Sequence, residues 1–132
     1  MSALSNYGEN TVLSWLFTDA ALTRPTALYV ALHTADPTET GAEDQVTTSN
    51  DADYARKVIT MAAPVDGTSL CSSAVSWTIN SGSSGFTVTH VSIWDALSAG
   101  NCLVKGSLLV PRVMVANGVL TFNIGDIIAT ID

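Results

Sequence analysis

The sequence predicts a mainly β protein, an antiparallel β-sandwich of about seven or eight strands with one N-terminal helix. Three observations carry that expectation. Most apolar stretches alternate with period two, as in Ala27 to His33 and Ala74 to Ile79. These stretches are rich in Val, Ile, Thr, Trp and Phe, which suit a pleated, half-buried surface. Between them lie Gly, Asn, Pro and Ser clusters that punctuate turns. With 132 residues, 47% of them hydrophobic and 13% charged, the chain has material for one core, so one domain over 1–132 is expected.

Residues 3 to 17 hold the convincing helical pattern. Leu4, Tyr7, Val12, Trp15 and Leu16 fall close to one stripe, and Ser2 or Ser5 can cap it. Gly8 weakens it. Trp15, Leu16 and Phe17 make the end of the helix too apolar for a solvated surface, so it is expected to pack on its own sheet, with another subunit as the alternative. Thr18 to Pro25 is a connection, because Pro25 bars a helix and pushes Arg24 toward an extended conformation.

In the strand Ala27 to His33, Leu28, Val30 and Leu32 face one way, and Tyr29 and His33 the other. From 34 to 53 the composition turns polar, with Asp36, Glu39, Glu43, Asp44, Asp51 and Asp53 and one large aliphatic, Val46. Such a segment cannot bury enough surface to order itself, so an exposed acidic loop over about 34–53 is expected, of a length usually functional or disordered. Tyr54 to Met61 resumes strand character before Pro64 and Gly67 mark a turn. In Ala74 to Ile79 the large Val75, Trp77 and Ile79 oppose Ser76 and Thr78.

Phe86 to Leu108 predicts a central hairpin. Phe86, Val88 and Trp94 at even positions and Val91 and Ile93 at odd ones suit a strand covered on both faces. After a turn at 96–101, the second run places Cys102, Val104 and Leu108 on one face and Leu103, Lys105 and Ser107 on the other. Asn117-Gly118 between apolar runs predicts a type I′ hairpin, and the β-branched run 127–132 predicts a terminus paired into a sheet.

Twelve acids against five scattered bases give a formal charge of -7, which leaves no basic patch for nucleic acid. The mean hydropathy is +0.33, yet no apolar run approaches the roughly 20 residues a spanning helix needs, so no membrane role is expected. The opening residues lack a signal peptide's positive and apolar regions, so synthesis in a cytosol is expected, with Cys71 and Cys102 as buried free thiols. His33 and His90 fall on strands, and Gly82 to Gly85 has the wrong spacing for a nucleophile elbow, so no catalytic residue is assigned. Asn50 to Asp53 offers the alternating start of a calcium loop without its glycine or distal glutamate, so a solvated acidic loop is expected, with no metal and no cofactor. Trp15, Trp77 and Trp94 would be platforms for a carbohydrate-binding module if exposed, but their neighbours argue for the core.

The order of features adds what composition does not. A helix NTVLSWLF, a strand ending in Thr34-Ala35-Asp36-Pro37, a polar loop, Tyr54-Ala55-Arg56, VSWTI and then Val88-Thr89-His90 leading to Trp94-Asp95 resembles a family of small bacteriophage virion proteins. Members carry tail-fibre or minor tail labels, and related small phage proteins decorate capsids. The resemblance implies a non-enzymatic structural protein of the virion, made in the host bacterial cytoplasm, with Ala35–Pro37, Tyr54–Arg56 and Val88–Asp95 as fold determinants. Gly8 and the two cysteines depart from the family's usual pattern. With no repeat or long trimerising segment in the chain, a capsid decoration or cement subunit is the expected role, a tail-fibre or minor tail protein the alternative, and a carbohydrate-binding module more remote. The partners it implies are major capsid or tail proteins and the chain itself as a homo-oligomer. Trp15, Leu16 and Phe17 on the helix, and Asp36, Glu39, Glu43, Asp44, Asp51 and Asp53 in the loop, are the candidate interaction residues.

Overall fold

A computed structural model describes residues 2–131. The elements run β1 (Ser2–Leu4), α1 (Asn6–Phe17), β2 (Leu28–His33), β3 (Lys57–Ile59), β4 (Thr68–Leu70), β5 (Val75–Thr78), β6 (Phe86–Trp94), β7 (Cys102–Met114), β8 (Val119–Phe122) and β9 (Ile128–Thr130). All pairings are antiparallel. One sheet has the order β1-β7-β6-β2-β3, and two ribbons, β4-β9 and β5-β8, form a second layer. Side chains from both layers share one core, which includes Val30, Leu32, Ile59, Val88 and Ile93 from the sheet and Val75, Trp77, Leu120 and Phe122 from the ribbons. This is the expected mainly β sandwich, with nine strands among the described residues.

The expected hairpin sits at its centre, with β6 in the middle of the sheet. Asp95 closes the turn by accepting from the Asn101 backbone N–H at 2.7 Å and its side-chain amide at 2.9 Å, while Ala99 and Gly100 adopt positive φ. The register of β6 on β7 breaks twice, between Val88 and His90 and between Ile93 and Trp94. The first break corrects the expectation of a strand apolar on both faces. Phe86, Val88, Val91 and Ile93 all meet the same core, because the side-chain parity changes between them. The second corrects the faces of β7. Val104 pairs with Ile93 toward the main core, whereas Cys102 pairs with Trp94 and joins Ala31 on the opposite face, leaving Leu103 as the extra residue.

That extra residue seats the helix. Ser5 donates its backbone N–H to Leu103 O at 3.0 Å and its hydroxyl to Cys102 O, and its Oγ accepts from the N–H of Gly8 at 3.1 Å. Ser5 is thus the N-cap, and residues 2–4, expected to lie within or beside the helix, form an edge strand on β7 instead. Gly8, the helix's one fully buried residue, lies where a Cβ would come within 2.4 Å of Leu103 O.

Two other expectations change. Asn117-Gly118 does not close a hairpin between adjacent partners. Only Asn117 has positive φ, and β8 leaves the turn to pair with β5, where Asn117 N–H donates to Ile79 O. A single left-handed residue at the third position belongs to a type II turn, whose twist does not return the chain beside its own strand. The run from Ile127 does pair, through β9 on β4, and Asp132 lies outside the described residues. Cys71 and Cys102 are free and buried in separate clusters.

The close approach at Gly8 gives a test. Gly8→Ala gains about 1 kcal/mol of helix propensity, but overpacking against a backbone carbonyl costs about 1–3 kcal/mol. Urea denaturation should therefore show a net loss of stability, and a gain would show that the helix does not sit on β7 as described.

Candidate interaction surface

The second face of the sheet is closed by the acidic segment, and polar side chains close it. Val46 N–H donates to Leu32 O at 2.8 Å and Thr34 N–H to Asp44 O at 2.9 Å, so the segment folds back along the end of β2. Val46, Pro37 and Gly41 are buried, and Gly41 lies against the Cys102 side chain with positive φ. The expectation of a segment unable to order itself is therefore overturned. Backbone pairing, three small or apolar anchors and side-chain caps substitute for the missing aliphatic bulk.

The six acids separate into distinct roles. Asp36 and Glu39 reach the Lys105 ammonium at 3.4 and 2.9 Å. These contacts, Glu39's foremost, raise the lysine's pKa, and the Thr38 N–H followed by Lys105 lowers that of Asp36. Glu43, Asp44 and Asp53 are exposed. Asp51 is only 1% exposed, contrary to its assignment to a solvated surface. Its Oδ1 accepts from the N–H groups of Asn80 at 3.0 Å and Asp53 at 3.2 Å, which pins the segment to the start of the 80–85 turn.

Beneath the segment a chain of hydrogen bonds fixes His33. Its Nδ1–H donates to Glu43 O at 2.9 Å, so its Nε2 accepts from the Ser92 hydroxyl at 2.6 Å, and Ser92 Oγ in turn accepts from Trp94 Nε1–H at 2.7 Å. His33 and Ser92 are fully buried. Burial, foremost, pushes the His33 pKa down to about 4, against the raising effect of the Glu43 carbonyl. Burial likewise pushes the Cys102 thiol up to about 11. His90, the other strand histidine, pairs in register with His33, and its Nδ1 meets Thr89 Oγ1 at 2.9 Å.

Arg56 ties the same region together. Its guanidinium lies 3.7 Å from the centroid of the Trp94 ring and donates to Ala96 O at 2.9 Å, Ala99 O at 2.8 Å and Gln45 Oε1 at 3.0 Å. One side chain thus joins the acidic segment, the chain before β3 and the hairpin turn. Beside it a hollow of about 500 Å³ opens among Asn6, Tyr7, Glu39, Arg56 and Asn101.

The helix end stands outside the fold. Trp15 is 62% and Phe17 77% exposed, and Leu13 and Leu16 are more than half exposed. Packing on its own sheet is overturned for this end: the Ser5 and Gly8 contacts bring only the first turn onto β7. Of the three tryptophans expected in the core, Trp77 and Trp94 are buried and Trp15 is not. A second apolar surface, absent from the sequence-based candidates, includes Leu109, Val110 and Val113 on β7. Its signal was the run Leu108-Leu109-Val110-Pro111, since proline within a strand marks an edge or a bulge.

The fold is thus a small β-sandwich whose interior polar groups hold its own parts together, with large apolar side chains outside. The chain belongs to the family described as podophage GP4 fiber I protein gp80, whose model matches residues 3–130. It is therefore a phage structural protein and a component of the virion, as the resemblance implied. No curated protein matches it.

Two predictions follow from the buried network. The fold holds His33 neutral, with a pKa near 4 against an ordinary 6.5, so an unfolded chain takes up a proton as pH falls below about 6.5 while the folded one does not. Stability should fall by about 2 kcal/mol between pH 7.5 and 5, and His33→Gln should flatten that slope, as read from urea midpoints. Arg56→Lys keeps the charge but cannot span the three acceptors, so it should cost about 2 kcal/mol, and a loss within 0.5 kcal/mol would contradict the clamp.

Proposed function

We propose that the chain is a non-enzymatic subunit of a phage fibre and attaches to another virion protein through the apolar end of α1. The family match over residues 3–130 carries the fibre reading. The attachment rests on Trp15, Leu16 and Phe17, which are adjacent and exposed on an element anchored to the sheet by its first turn. Large apolar side chains clustered in solvent mark an interaction site, and tryptophan and phenylalanine are common energetic anchors of interfaces. The exposed acids Glu43, Asp44 and Asp53 keep the outer face of the subunit soluble.

The geometry supports a structural role in a second way. The Ser92–His33 hydrogen bond, which superficially matches a nucleophile and its base, lies in the interior, with the Ser92 oxygen also occupied by Trp94. A carbohydrate platform built from Trp77 and Trp94 is disfavoured by their burial.

Gold labelling of the protein on intact virions tests the assignment. Label on the fibres supports it, and label over the capsid surface replaces it with the decoration subunit. For the attachment, the doubly substituted Trp15→Ser, Phe17→Ser protein should keep its melting temperature within about 2 °C, because both side chains are exposed. Its incorporation into particles should fall by about tenfold or more, and undiminished incorporation would place the attachment elsewhere.

A further inference from the structure

Arg56 is a buried charge without a countercharge. The residue is only 8% exposed, yet its guanidinium makes no ion pair among the described residues. Its hydrogen bonds go to three neutral acceptors, the carbonyls of Ala96 and Ala99 and the side-chain amide of Gln45. A guanidinium has five N–H donors, so two are left without an acceptor among the described residues. The neighbouring acids are engaged elsewhere. Asp95 accepts twice from Asn101, and Glu39 meets Lys105 at 2.9 Å. Burying a charge unpaired is costly, so an anion brought to this one gains more than an anion at an open surface.

The hollow of about 500 Å³ gives an anion access to it. Arg56 borders that space, and so do Asn6 and Tyr7 from the first turn of α1. Ser5 caps the N–H groups of Gly8 and Glu9 but leaves that of Tyr7 without an acceptor among the described residues. An amide at the start of a helix carries partial positive charge, so the helix and the guanidinium offer donors to one space. The Asn6 side chain, which has no hydrogen bond among the described residues, adds a donor and an acceptor. The Tyr7 ring is 46% exposed and adds an apolar face.

Two features narrow the ligand. Glu39 also borders the hollow, which penalises a dianion such as phosphate more than a singly charged carboxylate. An amide beside an aromatic ring matches the hydroxyls and the C–H face of a sugar. We propose that the hollow binds an acidic sugar, a pyranose ring carrying one carboxylate. The carboxylate takes the free donors of Arg56 and the Tyr7 N–H, and the ring hydroxyls meet Asn6. The space is of the size usual for small-ligand sites. It is separate from the exposed end of α1, so the site does not depend on what that end attaches to.

NMR titration of the isotope-labelled chain tests this with glucuronate, glucose, acetate and inorganic phosphate as ligands. Glucuronate should shift the Tyr7 amide and Arg56 Nε–H signals saturably, with a Kd on the order of 1 mM. Glucose lacks the charge, acetate lacks the ring and phosphate carries a second charge, so each should bind at least about tenfold more weakly. Asn6→Ala, at an exposed position, should weaken glucuronate binding about threefold or more without changing the melting temperature. Glu39→Gln removes the opposing charge and should strengthen phosphate binding more than glucuronate binding. Absence of saturable shifts at those two signals, or any control ligand binding as tightly as glucuronate, would overturn the proposal. So would an Asn6→Ala protein that binds like the wild type, or a Glu39→Gln protein that binds phosphate no better.

Discussion

An antiparallel strand pair presents side chains alternately only while its register holds, and β6 and β7 lose register twice. Most of what distinguishes this molecule depends on those two places. At the break between Ile93 and Trp94, the extra Leu103 turns Cys102 and Trp94 to one face and Val104 and Ile93 to the other, and the nearby carbonyls accept the start of α1 through Ser5. At the break between Val88 and His90, four residues face one, and Leu109 and Val110 stand in solvent. The central hairpin is thus both the core of the fold and the source of its outward features.

The two faces of the sheet are stabilised by different chemistry. The main core is closed by aliphatic and aromatic contacts between layers, including an edge-on meeting of Trp77 and Phe122 at 6.3 Å. The other face has little apolar material and relies on His33, Ser92, Trp94 and Arg56, whose donors and acceptors are matched to one another and to backbone carbonyls. Polar closure of this kind is unforgiving, because loss of one partner leaves another buried and unmet. It also explains how a segment with one large aliphatic residue holds a fixed path across the sheet.

For a structural protein of the virion, this division of labour makes physical sense. Polar groups are spent inward, on rigidity, while two clusters of apolar side chains remain on the outside, one at the end of α1 and one along β7. They are far apart in sequence and differ in form, a helix end and a bulged strand.

The sequence by itself determined the class and much of the order of the fold: alternation located β2 and β5, the polar turns bounded them, and the central hairpin was legible from 86 to 108. The family was legible too, from the succession of short motifs. What it could not show were side-chain directions wherever the period failed. Phe86, Val88, Val91 and Ile93 read as two faces, because a bulge moves parity without leaving a mark in composition. Gly8 read as a weakness in a helix, since its value lies in leaving no Cβ where the helix packs on a carbonyl nearly a hundred residues away. Asp51 read as one solvated acid among six, although two backbone N–H groups from separate segments hold it inside. Local periodicity reports which residues favour burial, and only the tertiary structure decides which of them face the same core and which are left in solvent.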